Sequence, residues 1–317
     1  MAITKIHAIK STLGKALAYI ENPDKTDGQM LVSGYNCEPQ TASIDFEMTA
    51  VLAHKARNLK RKRSTNLAYH LMPKTICSCS MGKDSLATVI LALMHHEPLD
   101  EIVYCEVMFD KEISGEVPEH RTFIYETAIP WLRRAGLNVK ILRANTTYKE
   151  CFTKTIQRGK GKGKLKGFPL CGRCNIQRDC KVRPIQKYMK SLPQDTQQYV
   201  GLATDEQDRL MRLQEKQISL LEQYACSESE AWELCHRYGL LSPVYDFTDR
   251  NGCWFCPNAK LPELRHLYDH HPDLWREMLA LQALPNKATE KFNRELRFSD
   301  YDILFHNEDA QLCWFTQ

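Results

Sequence analysis

Alternating strand-like and helix-like runs, a glycine-containing turn joining the first of each, and two widely separated Cys-x-x-Cys pairs predict an α/β protein. Its centre is expected to be a parallel, doubly wound sheet flanked by helices. A helical, Cys-rich C-terminal region follows it, and a small N-terminal α/β segment precedes it. The expected division is residues 1–71, 72–215 and 216–317.

The N-terminal segment reads strand (Ile3 to Ile9), short helix (Leu13 to Glu21), Asn22-Pro23 turn, strand (Gln29 to Tyr35) and a helix from about Ala42 to Asn58. In the central piece the strand-like runs are Thr75 to Ser80, Glu101 to Phe109, Asn138 to Arg143 and Gln198 to Ala203. Helical runs fall between them at Ser85 to His96, His120 to Ala135 and Arg183 to Ser191. Beyond Ala231 the pattern is helical, interrupted by turns at Leu241 to Tyr245 and Asn251 to Asn258. The amphipathic run around Trp275 and Leu279 is expected to cover the second Cys pair.

A chain of 317 residues with 43% hydrophobic content can bury one large core or two modest ones. No run approaches the roughly 20 apolar residues of a membrane span, and Lys5, Lys10 and Lys15 occupy the place of a signal-peptide core, so a cytoplasmic protein without membrane contact is expected. The net charge of +4 is all N-terminal: residues 1–73 hold ten Lys plus Arg against six Asp plus Glu, leaving 33 of each in the remainder. A neutral main body gives no support to a general nucleic-acid surface. Thirteen Cys make an odd count for a disulfide framework, and metal or redox chemistry fits them better.

The turn Ser80-Met81-Gly82-Lys83-Asp84-Ser85 carries the most chemistry. Between a parallel strand and a helix N-terminus, such a loop points several unpaired backbone N–H groups at one spot, where the helix dipole favours an anion. Ser80 and Ser85 add hydroxyl donors, Lys83 supplies charge, and Gly82 admits close approach to the backbone. Lys83 is followed by Asp84 and position 77 is Cys, so this is not the Walker A pattern. The plainer alternative is a Ser-capped strand-to-helix turn. Ligands of such sheets bind beyond the strand ends, which brings Asp110, Glu119, Asp205, Glu206 and Arg209 into consideration. Asp205 and Glu206 could hold Mg2+ on a polyphosphate, and Arg209 could neutralise a phosphate or sulfate. Glu119 and Asp205 could equally serve helix N-termini. The segment Gly159 to Gly167, with four Lys, reads as a mobile loop or a lid over an anion.

Cys171-Gly172-Arg173-Cys174 and Cys253-Trp254-Phe255-Cys256 have the spacing of metal knuckles, with Cys180 close behind the first pair. Zinc and a four-iron four-sulfur cluster both accept four thiolates, so ligand type leaves the two open. A purely structural staple is the remaining alternative. Cys77, Cys79, Cys105, Cys226 and Cys235 lie in apolar patterns and read as small buried residues. His95-His96 and His270-His271 read as surface pairs.

Ser-x-Gly-x-Asp-Ser at 80–85 resembles the pyrophosphate-loop signature of the adenine-nucleotide alpha hydrolase (PP-loop) superfamily. From Met72 onward the chain is similar to its phosphoadenosine phosphosulfate (PAPS) reductase-like branch. The likeness also rests on Gly201-x-x-x-Asp205-Glu206-x-x-Arg209, on Asp110 running into Pro118-Glu119, and on Gly252-Cys253-Trp254-Phe255-Cys256-Pro257. It implies a Rossmann-like (HUP-type) sheet and an adenine nucleotide held by Ser80, Gly82, Lys83, Asp84, Ser85, Asp110, Asp205, Glu206 and Arg209, with Lys83 and Asp84 catalytic. It also implies a metal centre drawn from Cys171, Cys174, Cys180, Cys253 and Cys256; Cys174 and Cys180 resemble the cluster-binding region of iron-sulfur sulfonucleotide reductases, which have adjacent Cys there. The N-terminus resembles the opening of relaxases in Ile3 to His7, Ala18 to Thr26 and Asn66 to His70, with Tyr19 at the nucleophile's place. The downstream His cluster of that family is missing, so a truncated, inactive relaxase-like remnant of a mobile element is expected.

Three functions follow. The intact loop favours ATP with Mg2+, adenylation of an acceptor and pyrophosphate release, with sulfur transfer from a donor protein as a sequel. Reduction of PAPS or a related sulfonucleotide, with an electron-donor protein, is the second, although the Glu-Cys-Gly-Leu-His tail of those reductases is absent and Cys313 is a poor substitute. A non-catalytic nucleotide-binding protein is the third.

Overall fold

The computed structural model describes residues 74–172 and 174–315, with side chains as far as residue 311. The expected relaxase-like segment at 1–71, including Tyr19, lies outside the described residues, as does the Cys313 side chain.

Five strands form one parallel sheet in the order β3-β2-β1-β5-β6: β1 (Thr75–Ser78), β2 (Glu101–Glu106), β3 (Asn138–Arg143), β5 (Gln197–Val200) and β6 (Gln217–Ile218). Every residue of β2 is buried, as a strand covered on both faces requires, whereas edge strand β3 is half-exposed. The chain runs from β1 outward to β3, then returns to β5 on the other side of β1. That reversal makes the end of β1 the switch point where such sheets bind ligands. The Rossmann-like α/β fold read from the sequence is therefore the fold present.

The strands stop earlier than the apolar runs suggest, at Ser78, Glu106 and Val200. Val107 and Phe109 leave the sheet to enter a second core. Helix α1 (Lys83–Met94) is buried along nearly its whole length between the sheet and α8 (Glu228–Arg237), which explains its apolar run and weak amphipathicity. Beside it, α2 (Pro118–Phe123) passes through a π-turn (Ile124–Ala128) into α3 (Ile129–Arg134). A second π-turn (Gln177–Val182) leads into α5 (Arg183–Met189). Each π-turn precedes a proline, Pro130 or Pro184, whose missing N–H and ring the wider turn accommodates.

Leu220, Leu221, Cys226, Ala231, Leu234, Cys235 and Leu240 pack into the sheet's own core, and β6 extends the sheet itself. Residues 217–240, assigned from sequence to the C-terminal region, thus complete the sheet's side of the molecule. The second core is rich in aromatics: Phe109, Tyr148, Phe152, Phe168, Trp254, Phe255, Trp275, Phe292 and Phe298 meet there. It is built by α4 (Tyr148–Thr153), α9 (Leu261–His270), α10 (Pro272–Ala283) and α11 (Phe298–Phe315). A short parallel pair, β4 (Leu165–Gly167) with β7 (Lys287–Thr289), closes it. The Gly159 to Gly167 segment is tied down there rather than forming a lid: Gly163 N donates to Ile156 O at 3.0 Å and Thr155 pairs with Leu165. Among the described residues, no helix is long and apolar enough to cross a membrane.

Gly201 brings the end of β5 against the start of α1: a Cβ there would lie 2.6 Å from Ser85 N and 2.7 Å from Asp84 C. Both neighbours are backbone and cannot yield cheaply. Gly201→Ala is expected to destabilise the fold by about 1–3 kcal/mol in urea unfolding, as overpacking does; unchanged stability would show that the two elements do not approach this closely.

Candidate functional site

The loop after β1 is held in an unusual backbone. Met81 is fully buried with φ of 62°, a left-handed conformation that non-glycine residues seldom adopt. The segment that follows α8 secures it. Asn251 Nδ2 donates to Ser80 O at 3.3 Å, and Tyr245 Oη accepts from Lys83 N at 2.9 Å. A Cβ on Gly82 would sit 2.6 Å from Asn251 Oδ1, so glycine is required for this approach. From the other side, His120 places Nε2 3.4 Å from Asn251 Nδ2 and Nδ1 2.8 Å from Ser242 Oγ. Ser80 and Ser85 hydroxyls lie 3.3 Å apart, and Ser85 Oγ donates to Gly82 O at 3.0 Å.

Lys83 opens α1, and its ammonium reaches Asp84 at 2.7 Å and Glu228 at 2.9 Å. Burial pushes the ammonium toward neutrality, but the two carboxylates more than reverse this and hold its pKa above the ordinary value. Burial lifts the Asp84 carboxyl, and Lys83 offsets that only in part because Glu228 and Glu206 add like charge. Two carboxylates thus converge on one lysine at a helix N-terminus, with Glu206 acting on Asp84 from beside them.

These residues line a cavity of about 810 Å³ that extends from Ser80, Gly82, Lys83, Asp84 and Ser85 to Cys174, Cys253 and Cys256. Glu206, Arg209, Glu228 and Arg250 also line it. Five acidic and five basic side chains face the cavity, so it carries no large surplus of positive charge of its own. A polyanion would therefore bring its own cation.

Three of the acidic residues considered from sequence lie elsewhere. Asp110 closes its own turn, accepting from Glu112 N at 2.9 Å and Ile113 N at 2.8 Å with Lys149 3.6 Å away, and does not face the cavity. Asp205 accepts from Glu228 N at 3.2 Å, which makes it a partner of the start of α8. Short polar side chains at strand ends readily serve such local roles. Glu206 does line the cavity, paired with Arg209. Glu119 faces away, toward His266 and His271.

Sequence reasoning missed Glu228, Glu116 and Lys181. Glu228 is 145 positions from Lys83 and nothing local marks it. Glu116 is buried beside Cys253, with which it forms an antiparallel bridge; burial raises its carboxyl, while Tyr104 Oη donates to it at 3.1 Å. Lys181 lines the cavity, and its charge acts on both Glu116 and Cys253.

Cys253 and Cys256 form one wall with Cys174, and Cys171 Sγ lies 3.4 Å from Pro257 O beside them. Cys174 Sγ accepts from Gln177 N at 3.4 Å, and Arg250 Nη1 is 3.7 Å from Cys256 Sγ, two donors of the kind that stabilise thiolates. Cys180 does not join them. Its sulfur is buried against Thr146 O at 3.5 Å and interacts with Cys151, raising the Cys180 thiol and lowering that of Cys151 to about 6. Cys180 lies within the π-turn at Gln177–Val182 and is its buried residue.

The thiol wall suits a metal centre. Tyr148 Oη is buried without a hydrogen-bond partner, in the core against which Cys174 and Cys253 pack. A polar acceptor held by the thiols would satisfy it. Among the described residues no three sulfurs come within 4.8 Å of one another. Zinc and an iron-sulfur cluster both accept such thiols.

No protein-family description and no curated protein matches the chain. Among solved structures, the U34-tRNA thiolase NcsA from Methanococcus maripaludis with its [4Fe-4S] cluster is similar at 16% identity, covering 82% of this chain and 80% of that chain with a TM-score of 0.34.

Burial pushes the His120 imidazole down to about 4, so the folded state keeps it neutral where the unfolded chain takes up a proton. Its contribution to stability is present above pH ~6.5 and is lost as pH falls toward 4, on the order of 3 kcal/mol in all. Urea unfolding at pH 7 and pH 4.5 should show a smaller pH-dependent loss in His120→Asn than in the wild type. An identical loss in both would remove His120 as the cause.

Proposed function

We propose that this chain is a PP-loop enzyme of the PAPS reductase-like type that binds ATP with Mg2+ and adenylates an acceptor, releasing pyrophosphate, beside a thiolate-held iron-sulfur centre. One observation carries this reading: the Ser80–Ser85 loop and Cys174, Cys253 and Cys256 share a single cavity of about 810 Å³. Ligand cavities run to about 300–1,000 Å³, so a nucleotide and part of an acceptor fit together.

The triphosphate would lie on the loop, where the helix start leaves the Asp84 and Ser85 amides without an intrahelical acceptor and Ser80 and Ser85 add hydroxyls. Lys83 then exchanges its carboxylate partners for phosphate oxygens. Asp84 and Glu228, freed from Lys83, would hold Mg2+ with Glu206 nearby, and the ion would supply the positive charge that the cavity lacks. An acceptor oxygen bonds to the α-phosphorus as the bond to the bridging oxygen breaks. Pyrophosphate leaves, and any proton on the acceptor passes to water. Lys83 and Arg209 balance the charge that builds on the phosphates. The acceptor would enter from the thiol side, past the bridged pair Glu116 and Cys253.

Cys174, Cys253 and Cys256, with Cys171 adjacent, would hold the iron-sulfur centre, which when bound supplies a site for sulfur or electron chemistry next to the activated acceptor. Arg250 would stabilise the Cys256 thiolate, and the unpartnered Tyr148 hydroxyl would be free to donate to the bound centre.

Incubation of the protein with ATP and Mg2+ is expected to release pyrophosphate, and Asp84→Ala to lower the rate by roughly 10²-fold or more. Release surviving that change would overturn the loop's role, and sulfite from PAPS would assign reductase chemistry instead. Anaerobically purified protein is expected to absorb in the visible, and Cys174→Ser or Cys256→Ser to lose that absorption while Cys180→Ser keeps it. Bound zinc with no visible absorption, or loss in Cys180→Ser alone, would contradict the assignment.

A further inference from the structure

Glu119, His266 and His271 converge on the far side of α2 from the cavity. His266 Nε2 lies 2.8 Å from Glu119 Oε1, and His271 Nε2 lies 3.0 Å from Oε1 and 3.1 Å from Oε2. Among the described residues this is the one group of three His, Cys, Asp or Glu side chains whose ligand atoms all lie within 4.8 Å of one another. The three come from different elements: Glu119 from the first turn of α2, His266 from the middle of α9, and His271 from the junction of α9 and α10.

The chemistry of the trio is that of a small transition-metal site. Two imidazoles and a carboxylate at bonds of about 2.0–2.2 Å around a tetrahedral zinc place neighbouring ligand atoms about 3.3 Å apart, so the observed spacing needs only a few tenths of an ångström of expansion. The rings are already oriented. Phe247 stacks on His266 at 3.7 Å between centroids and 8° between planes, which leaves that imidazole little freedom to turn. The imidazole of His270 stands 4.5 Å from that of His266 between centroids, outside the trio of ligand atoms. The side chains of His266 and His271 are 19% exposed and that of Glu119 is 31% exposed, so an ion can enter from solvent and a water can complete its shell.

We propose that Glu119, His266 and His271 form a second metal site, separate from the thiol wall, that takes a divalent transition ion of the zinc type. Without the ion, both imidazoles donate Nε2–H to the carboxylate. With it, each imidazole moves its proton to Nδ1 and binds through Nε2, so no net proton is released from the rings. The ion joins α2, which packs on the sheet, to α9 and α10, which carry the aromatic core. It thereby fixes the helix pair behind Cys253 and Cys256.

Cobalt(II) added to the full-length protein separates this site from the thiols, because thiolate ligation gives near-ultraviolet charge transfer and nitrogen and oxygen ligation does not. The wild type is expected to bind one more equivalent of cobalt than His271→Gln or Glu119→Gln, and the difference spectrum to contain weak visible bands with no charge-transfer component. Zinc should raise the melting temperature of the wild type by more than that of either variant. Equal cobalt stoichiometry and equal spectra in wild type and variants would overturn the site and leave the trio a hydrogen-bonded link. The wild-type titration decides the matter alone if a variant does not fold: uptake that shows charge transfer only is the overturning result.

Discussion

Everything in the candidate site depends on one close approach, the packing of Asn251 against the loop between β1 and α1. The amide of Asn251 reaches the Ser80 carbonyl and occupies the space that any side chain at position 82 would need. Tyr245, six residues earlier, takes the first amide of α1. The same segment continues to Cys253 and Cys256, so the contact that shapes the loop also sets the distance from loop to thiols. A left-handed Met81 persists only because its surroundings over-determine it, and Asn251, Tyr245, His120 and a fully buried Met81 side chain do so together.

Local patterning made the sheet and the loop legible. Apolar runs bounded by turns mark the central strands because parallel strands are buried on both faces, and the small residues at 80–85 can serve only a tight strand-to-helix connection. Short β6 and the β4–β7 pair carry too few residues for any periodicity to register. The Lys- and Gly-rich segment at 159–167 looked mobile because its composition says nothing of the backbone pairing that pins it to β7. Charged residues followed the same division. Ser80 to Ser85 and Glu206 could be placed because they sit at strand ends, whereas Glu228 and Lys181 reach the cavity through tertiary packing. Asp110 and Asp205 have the right position in sequence and spend their oxygens on backbone amides instead.

The cysteines show how much spacing can and cannot establish. Two Cys-x-x-Cys pairs announce a shared site, and the fold does bring members of both to one wall. Which further thiol belongs there depends on the turn at 177–182, which holds Cys180 as its buried residue, interacting with Cys151. The proline four residues beyond that Cys is what the wider turn accommodates, and no count of cysteines foretells it.

The Ser80–Ser85 loop and the thiol wall line one cavity, and alkylation of the thiols in the presence of ATP tests most directly whether the proposed nucleotide occupies it. With iodoacetamide and mass-spectrometric mapping of the metal-free full chain, saturating ATP with Mg2+ should slow modification of Cys174, Cys253 and Cys256. Cys171, which does not line the cavity, should react at an unchanged rate. Equal rates at Cys174, Cys253 and Cys256 with and without ATP would contradict a nucleotide held in that cavity.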